Sequence, residues 1–380
     1  MILSIIIGIL VLSLLIFVHE AGHFLAAKMF GVKVEEFGFG FPIPGKIWSF
    51  KKGETTYSIN WLPAGGFVRL YGEESGANEN DPRSFSAQSV WKRIVIAGAG
   101  VVINIILAIL IFTALLASMG FKQDFNLRIP NQFPFGTQTY YGLVTYVEDG
   151  SPAKEVGLKP GDKILKIDGT AMTDSEKLRS YIKDHAGSEI DVIVQNIKDN
   201  TQRDISVTPR ENPPKGQGAL GVALEQGSTL AYNTPVEKIF SGVLHSGNML
   251  QYQWAGMSSL FSQSVKEKSV EPITKNSSGP IGIIAIFSVV LQGGGVEAFR
   301  SLLLLTAMIS LLLGIFNLLP IPAADGGRLF FFYIEAIFRK KVPAKIENRI
   351  HTVGFMILIV LFVLIAFNDV VKIATGRLFG

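Results

Sequence analysis

No cysteine occurs among the 380 residues, which excludes disulfide frameworks, thiolate metal sites, iron–sulfur clusters and cysteine nucleophiles. Charge is scarce as well: Asp, Glu, Lys and Arg make up 17% of the chain, against about 25% in an average soluble domain. Neither sign dominates, because 35 Lys plus Arg against 31 Asp plus Glu leave a net +4. That charge is too weak and too scattered to argue for nucleic acid as a partner. No short repeat is present, and 48% of the residues are apolar, so disorder, collagen and coiled coil are ruled out. Trp (4) and Tyr (9) are few beside 27 Phe, as lipid-facing surface requires. With a mean hydropathy of +0.36, the composition predicts an integral membrane protein with a substantial soluble part.

Four stretches meet or approach the ~18–20 apolar residues that a membrane span needs: Met1 to about Ala27, Ile94–Met119, Leu302–Leu319 and about Val353–Phe367. The first lacks the basic start and small-residue cleavage site of a signal peptide, so it reads as a retained helix. Basic residues from Lys28 to Arg93 separate the first two spans, and those from Arg328 to Arg349 separate the last two. By the positive-inside rule both loops are expected in the cytoplasm, with Gly120 to about Ala298 outside.

The expected organisation is therefore residues 1–119 carrying two spans, a soluble domain at 141–225, a juxtamembrane connector at 229–298, and two further spans in 299–380. Within the first part, Val34–Gly72 alternates apolar residues between Gly and Pro, predicting short strands that form a membrane-associated hairpin or sheet. In the soluble part, Gly157, Gly161 and Gly169 fit turns, and Ile164, Leu165 and Ile167 fit a buried strand. A polar helix near Asp174–Asp184 and strands at Glu189–Val194 and Asp204–Thr208 follow. The run S-P-A-K-E-V-G-L-K-P-G-D-K-I-L-K-I-D-G (Ser151–Gly169) resembles a bacterial PDZ domain, present once. Thr234–Lys266 predicts an amphipathic helix leading back towards the membrane.

The chemistry concentrates in H-E-A-G-H, His19 to His23, inside the first apolar stretch. Histidines at i and i+4 share one helix face and can reach one metal ion, while Glu20 on the adjacent face can take a proton from water. Each of these groups costs several kcal/mol at membrane depth unless paired or metal-bound, which favours a metal over chance or interhelical glue. Two histidines need a third ligand. Asp325, in N-L-L-P-I-P-A-A-D-G-G-R (Asn317–Arg328), is the best candidate, with two alternatives: that Asp325 merely N-caps the next helix, or that His351 ligates instead. At 1.5 Å per residue, His19 lies about 27 Å into its span and Asn104 about 16 Å past Arg93, depths at which Asp325 can meet them.

H-E-A-G-H, the G-x-x-x-N element Gly100–Asn104, and N-x-x-P-x-P-x-x-D-G-G on the third span resemble the site-2 protease family. With S-G-P-I-G (Ser278–Gly282) and I-A-F-N-D (Ile365–Asp369), the chain is similar to the branch of regulator-of-sigma-E proteases. The resemblance implies a polytopic α-helical membrane protein of about four transmembrane helices, with a membrane-associated β-hairpin or sheet and an inserted extracytoplasmic PDZ domain. It further implies Zn2+ held by His19, His23 and Asp325, with Glu20 as general base. Asn104 and Asn317 would hold substrate, and the hairpin would offer a strand edge to it. The partner implied is a single-pass membrane protein resembling an anti-sigma factor, already trimmed outside, and the location a bacterial inner membrane. Three positions depart from the family pattern: Ala324 stands where Leu usually precedes the Asp, Val101 where Pro usually follows the glycine, and one PDZ domain where that branch has two. A PDZ-bearing membrane scaffold with a vestigial metal site is the alternative. A metal transporter should show internal repeats, which are absent.

Overall fold

The computed structural model describes residues 2–73, 80–127, 129–197, 201–276 and 279–375. They form two compact units, Met1–Leu115 with Leu260–Gly380, and Leu116–Ser259.

The first unit opens on α1 (Ile2–Met29), which is apolar on every side. β1 (Val34–Lys52) and β2 (Thr55–Leu70) follow, then α2 (Val90–Ser118). The two strands are longer than the short strands expected, because each folds back on the other. Glu36–Phe39 lies between Thr56–Ile59 on one side and Gly66–Arg69 on the other, while Lys46–Lys52 pairs with Thr55–Asn60. Gly66–Leu70 thus borders the sheet. Aromatic rings dock it on α1: Phe37 lies 4.8 Å from both Phe17 and Phe24, and Phe39 lies 5.6 Å from Phe17. Such offset and edge contacts are favoured by the ring quadrupole.

The second unit carries β3 (Lys122–Asn126), β4 (Thr137–Val147), α3 (Pro152–Glu155), β5 (Asp162–Ile167), β6 (Thr170–Ala171) and α4 (Ser175–Asp184). β7 (Ile190–Asn196), β8 (Gln202–Val207), β9 (Val222–Ala231), α5 (Pro235–Ile239) and α6 (Ser241–Glu267) complete it. The antiparallel sheet runs β3-β9-β4-β5-β7-β8, with β6 added to β5. Asp168 and Gly169, both at positive φ, make the tight turn between β5 and β6. Asp174 caps α4 by accepting from the N–H groups of Glu176 and Lys177. The core is Val144, Ile164, Ile167, Leu178, Val192 and Val194 with their neighbours. β5, α4, β7 and β8 coincide with the strands and helix expected between Ser151 and Thr208; β3, β4 and β9 were not anticipated. The long amphipathic helix breaks at Phe240, where α5 ends on its own cap.

The chain then returns to the first unit through α7 (Glu271–Asn276), α8 (Pro280–Gln292), α9 (Gly295–Leu318), α10 (Asp325–Phe338) and α11 (Ala344–Ala374). Among the described residues four helices are long and apolar enough to cross a membrane: Ile5–Met29, Val90–Ser118, Gly295–Leu318 and Lys345–Ala374. They fall where the apolar runs predicted, the last extending well beyond Val353–Phe367. Sequence reasoning missed α8, whose apolar run is too short to span. Its N-terminus is capped from a distance: the fully buried Asp369 of α11 accepts from the N–H groups of Gly279 (3.1 Å) and Gly282 (2.8 Å). Ser278 of the S-G-P-I-G motif lies outside the described residues.

Candidate metal centre

His19, His23 and Asp325 converge. His19 Nε2 lies 2.8 Å from Asp325 Oδ2, His23 Nε2 lies 3.2 Å from the same oxygen, and the two Nε2 atoms are 3.3 Å apart. Among the described residues this is the one group of three whose donor atoms could share an ion. Three donors at ~2.1 Å from a tetrahedral zinc stand about 3.4 Å apart, close to what is seen.

Each partner reaches the cluster for a local reason. One turn of α1 separates the histidines and puts both on the face towards α2. That approach depends on glycine: a Cβ on Gly22 would stand 2.5 Å from Ala99 O, and one on Gly100 would stand 2.6 and 2.7 Å from the two histidine Nε2 atoms. Small residues let apolar helices close where no hydrophobic driving force pushes them together. Asp325 arrives from the other side of the unit. It begins α10, and the turn before it holds Ala323 at φ +73°. Gly326 and Gly327 are packed so closely that their Cβ atoms would stand 2.0 and 2.6 Å from the carbonyl oxygens of Leu319 and Ile321. The helix cap is Ala324, with no side-chain bond, so the Asp325 carboxylate is not spent on capping.

The hydrogen bonds fix which nitrogen of each ring is free. His23 Nδ1 is 2.8 Å from Ile96 O, a carbonyl that only accepts, so Nδ1 carries the proton and Nε2 presents a lone pair. His19 Nδ1 faces Asn104 Nδ2 at 3.3 Å, while Asn104 Oδ1 is buried with no partner among the described residues. Turning that amide by 180° gives the orphaned oxygen a donor, Nδ1–H of His19, and leaves His19 Nε2 as a second lone pair. Two lone pairs and a carboxylate oxygen within hydrogen-bond distance repel one another unless a cation lies between them. The donor set fits zinc.

Glu20, His23 and Asp325 open on a cavity of about 1110 Å³. Phe67–Glu73, the border of the sheet with the turn beyond it, forms another wall, and Arg328, Phe331 and His351 line it from α10 and α11. Arg328 pairs with Glu73 there. Of the residues expected at the site, Asn104 is present but touches His19 rather than open space. Asn317 is half-buried on the last turn of α9, outside the cavity lining and without a hydrogen bond to the cluster. His351, the rival ligand, is engaged elsewhere through Nδ1. Sequence reasoning passed over Ser310, whose hydroxyl donates to the Asn104 carbonyl (2.8 Å) and ties α9 to α2. A serine in a long apolar run was the available signal.

Residues 7–361 match the family described as peptidase family M50. A protein of Clostridium perfringens carrying the provisional name zinc metalloprotease CPE1693 is 32% identical, the alignment covering 97% of this chain and 98% of that one. The zinc metalloprotease RasP of Geobacillus kaustophilus is 28% identical over 97% and 98% of the two chains. Among solved structures, the PDZ domain of the SdrC-like protein of Listeria monocytogenes is 29% identical, covering 25% of this chain and 93% of that one at a TM-score of 0.19.

Proposed function

This chain belongs to peptidase family M50, and from that premise we propose that it is an intramembrane zinc metalloendopeptidase of the site-2 protease type. It hydrolyses a peptide bond in or near the membrane segment of a single-pass protein already shortened outside, of the anti-sigma-factor kind. The observation that carries this reading is the convergence of His19, His23 and Asp325, with His23, Asp325 and the neighbouring Glu20 lining one cavity. Relatives covered from end to end that bear the name zinc metalloprotease support it.

Zinc held by the three side chains supplies Lewis acidity. Glu20 accepts the proton of the attacking water and passes it to the departing amine. A substrate helix must first unwind, because irregular backbone is tolerated in a bilayer only where its hydrogen bonds are met. The border Gly66–Leu70, one wall of the cavity, is suited to meet them by strand addition. In this reading the cavity faces the cytoplasmic side of a bacterial inner membrane and the PDZ domain lies outside, a sidedness supported by the basic residues of the two loops.

The test separates base from ligand. Glu20→Gln keeps the shape and removes the proton acceptor. In the full chain in detergent it should retain about one zinc per molecule while cleavage of a model membrane segment falls by about 10³-fold or more. Chelator should abolish the wild-type reaction and zinc should restore it. Cleavage within a few-fold of wild type by the Gln variant removes Glu20 from this role.

A further inference from the structure

The start of α11 is built against the turn that carries Asp325. A Cβ on Gly354 would stand 2.1 Å from Pro322 Cβ, and one on Gly327 would stand 3.2 Å from His351 Cε1. The His351 ring packs 5.6 Å from that of Phe331. At the centre of these contacts the N–H of Ala323 donates to His351 Nδ1 at 3.0 Å. Ala323 is the residue of the turn at φ +73°, a conformation that L side chains rarely adopt and that needs its surroundings to hold it. Because Nδ1 accepts, the neutral ring carries its proton on Nε2, which is buried and has no hydrogen-bond partner among the described residues. One nitrogen is thus spent on the turn and the other bears hydrogen. Neither offers a lone pair to a metal.

We propose that His351 is a positioning residue: by accepting the Ala323 N–H it fixes the Pro322–Asp325 turn and so aims the carboxylate at His19 and His23. The inference rests on the zinc reading for its consequence, since the carboxylate is aimed at a metal. The contact itself is independent of metal. The arrangement also couples the last apolar helix to the centre, because the same few residues of α11 that carry His351 and Gly354 bear on the turn. Partners that orient a ligand characteristically change metal affinity by about 10–100-fold when removed.

Three variants of the full chain in detergent test this. His351→Leu keeps bulk and removes the acceptor; His351→Asn places Oδ1 where Nδ1 stood; His351→Gln places its oxygen one bond too far. Two measurements are made: hydrogen exchange of a peptide containing Ala323 in metal-free protein, and the rate at which zinc is lost to a chelator. The Leu and Gln variants should exchange and release zinc roughly tenfold faster, and the Asn variant should return both towards wild type. Peptides of the second unit serve as the reference for general unfolding. Equal exchange in wild type and the Leu variant overturns the proposal, as does an Asn variant no better than Leu. Faster exchange with unchanged zinc release overturns it too, because the turn would then not govern Asp325. Should the wild type hold no zinc, the zinc reading fails, and the metal-free exchange still decides whether His351 fixes the turn.

Discussion

In the unit Leu116–Ser259, β7 buries Ile190, Val192 and Val194 in strict alternation, and its sheet closes over one apolar core. In the other unit α1 and α2 are apolar all round, yet the residues at their contact are Gly22, Gly100, His19, His23 and Asn104. The first arrangement is what water imposes: apolar side chains gather, and the period of the pattern names the buried face. Where lipid replaces water that drive disappears, and contact is decided by how closely backbones can approach and which polar atoms find partners. The same substitution should therefore have different consequences in the two units.

Glycine gives the sharpest version of that contrast. Gly100→Ala puts a Cβ among the histidine Nε2 atoms, with the α2 backbone behind it unable to withdraw cheaply. Zinc affinity and cleavage should both fall by more than about 100-fold, the scale of losing a ligand rather than a support. Gly142→Ala in β4 meets only Leu178 Cδ2, at 2.1 Å, the far end of a flexible side chain. It should cost about 1–3 kcal/mol in the second unit by overpacking and leave zinc content unchanged. Metal analysis and hydrogen exchange on both variants check the pair. Zinc loss from the Gly142 variant, or zinc retention by the Gly100 variant, breaks the contrast.

Much of the architecture was legible, and for the same reason in each case: something interrupted a uniform background. His19, Glu20 and His23 stood out because polar groups are rare in an apolar run, and the prolines and glycines around Asp325 announced a broken helix. The turn glycines and alternating strands of the second unit follow soluble rules and were placed well. What escaped lacked such contrast. The run of α8 is apolar but only thirteen residues long, and its cap, Asp369, lies in another helix. The doubling back of β1 and β2 depends on pairings that no local pattern encodes. Asn317 shares a motif with Asp325, but the helix ends between them, and Asn317 lies outside the cavity lining.

A milder effect is expected at Asn104, which is buried, uncharged and in contact with His19. Asn104→Leu removes the acceptor for Nδ1–H and frees the ring to turn, so zinc should bind roughly 10–100-fold more weakly. Asn104→Asp keeps an acceptor at the same place and should bind zinc nearly as well as wild type. Competition with a chromophoric chelator gives both values. Equal loss in the two variants would mean that the side chain fills space rather than orients the ring, and the polar account of this unit would weaken.

At neutral pH the smallest expected effect lies in the second unit, where one buried polar group tests the rule from the soluble side. His245 on α6 is fully buried, with Tyr232 Oη 3.1 Å from its Nδ1 and the Phe125 ring 6.1 Å away. Tyr232 Oη accepts from Asn248 Nδ2 and so has its own hydrogen to give to His245. Burial pushes the imidazole down to about 4, whereas an unfolded chain titrates near 6.5. Above about pH 6.5 both states are neutral there, and His245 contributes no pH dependence. Between about 6.5 and 4 the unfolded state binds a proton that the folded state refuses, so stability falls as pH falls. At 1.36 kcal/mol per unit the full loss is about 3 kcal/mol, reached near pH 4, where the folded imidazole protonates too. His245→Asn removes the titrating ring and should flatten that stretch of the profile for peptides of this unit. Hydrogen exchange across the pH range, corrected for intrinsic rates, measures it. Parallel profiles for the variant and the wild type would show that the ring gains its proton without penalty, and that this interior is wetter than its packing indicates.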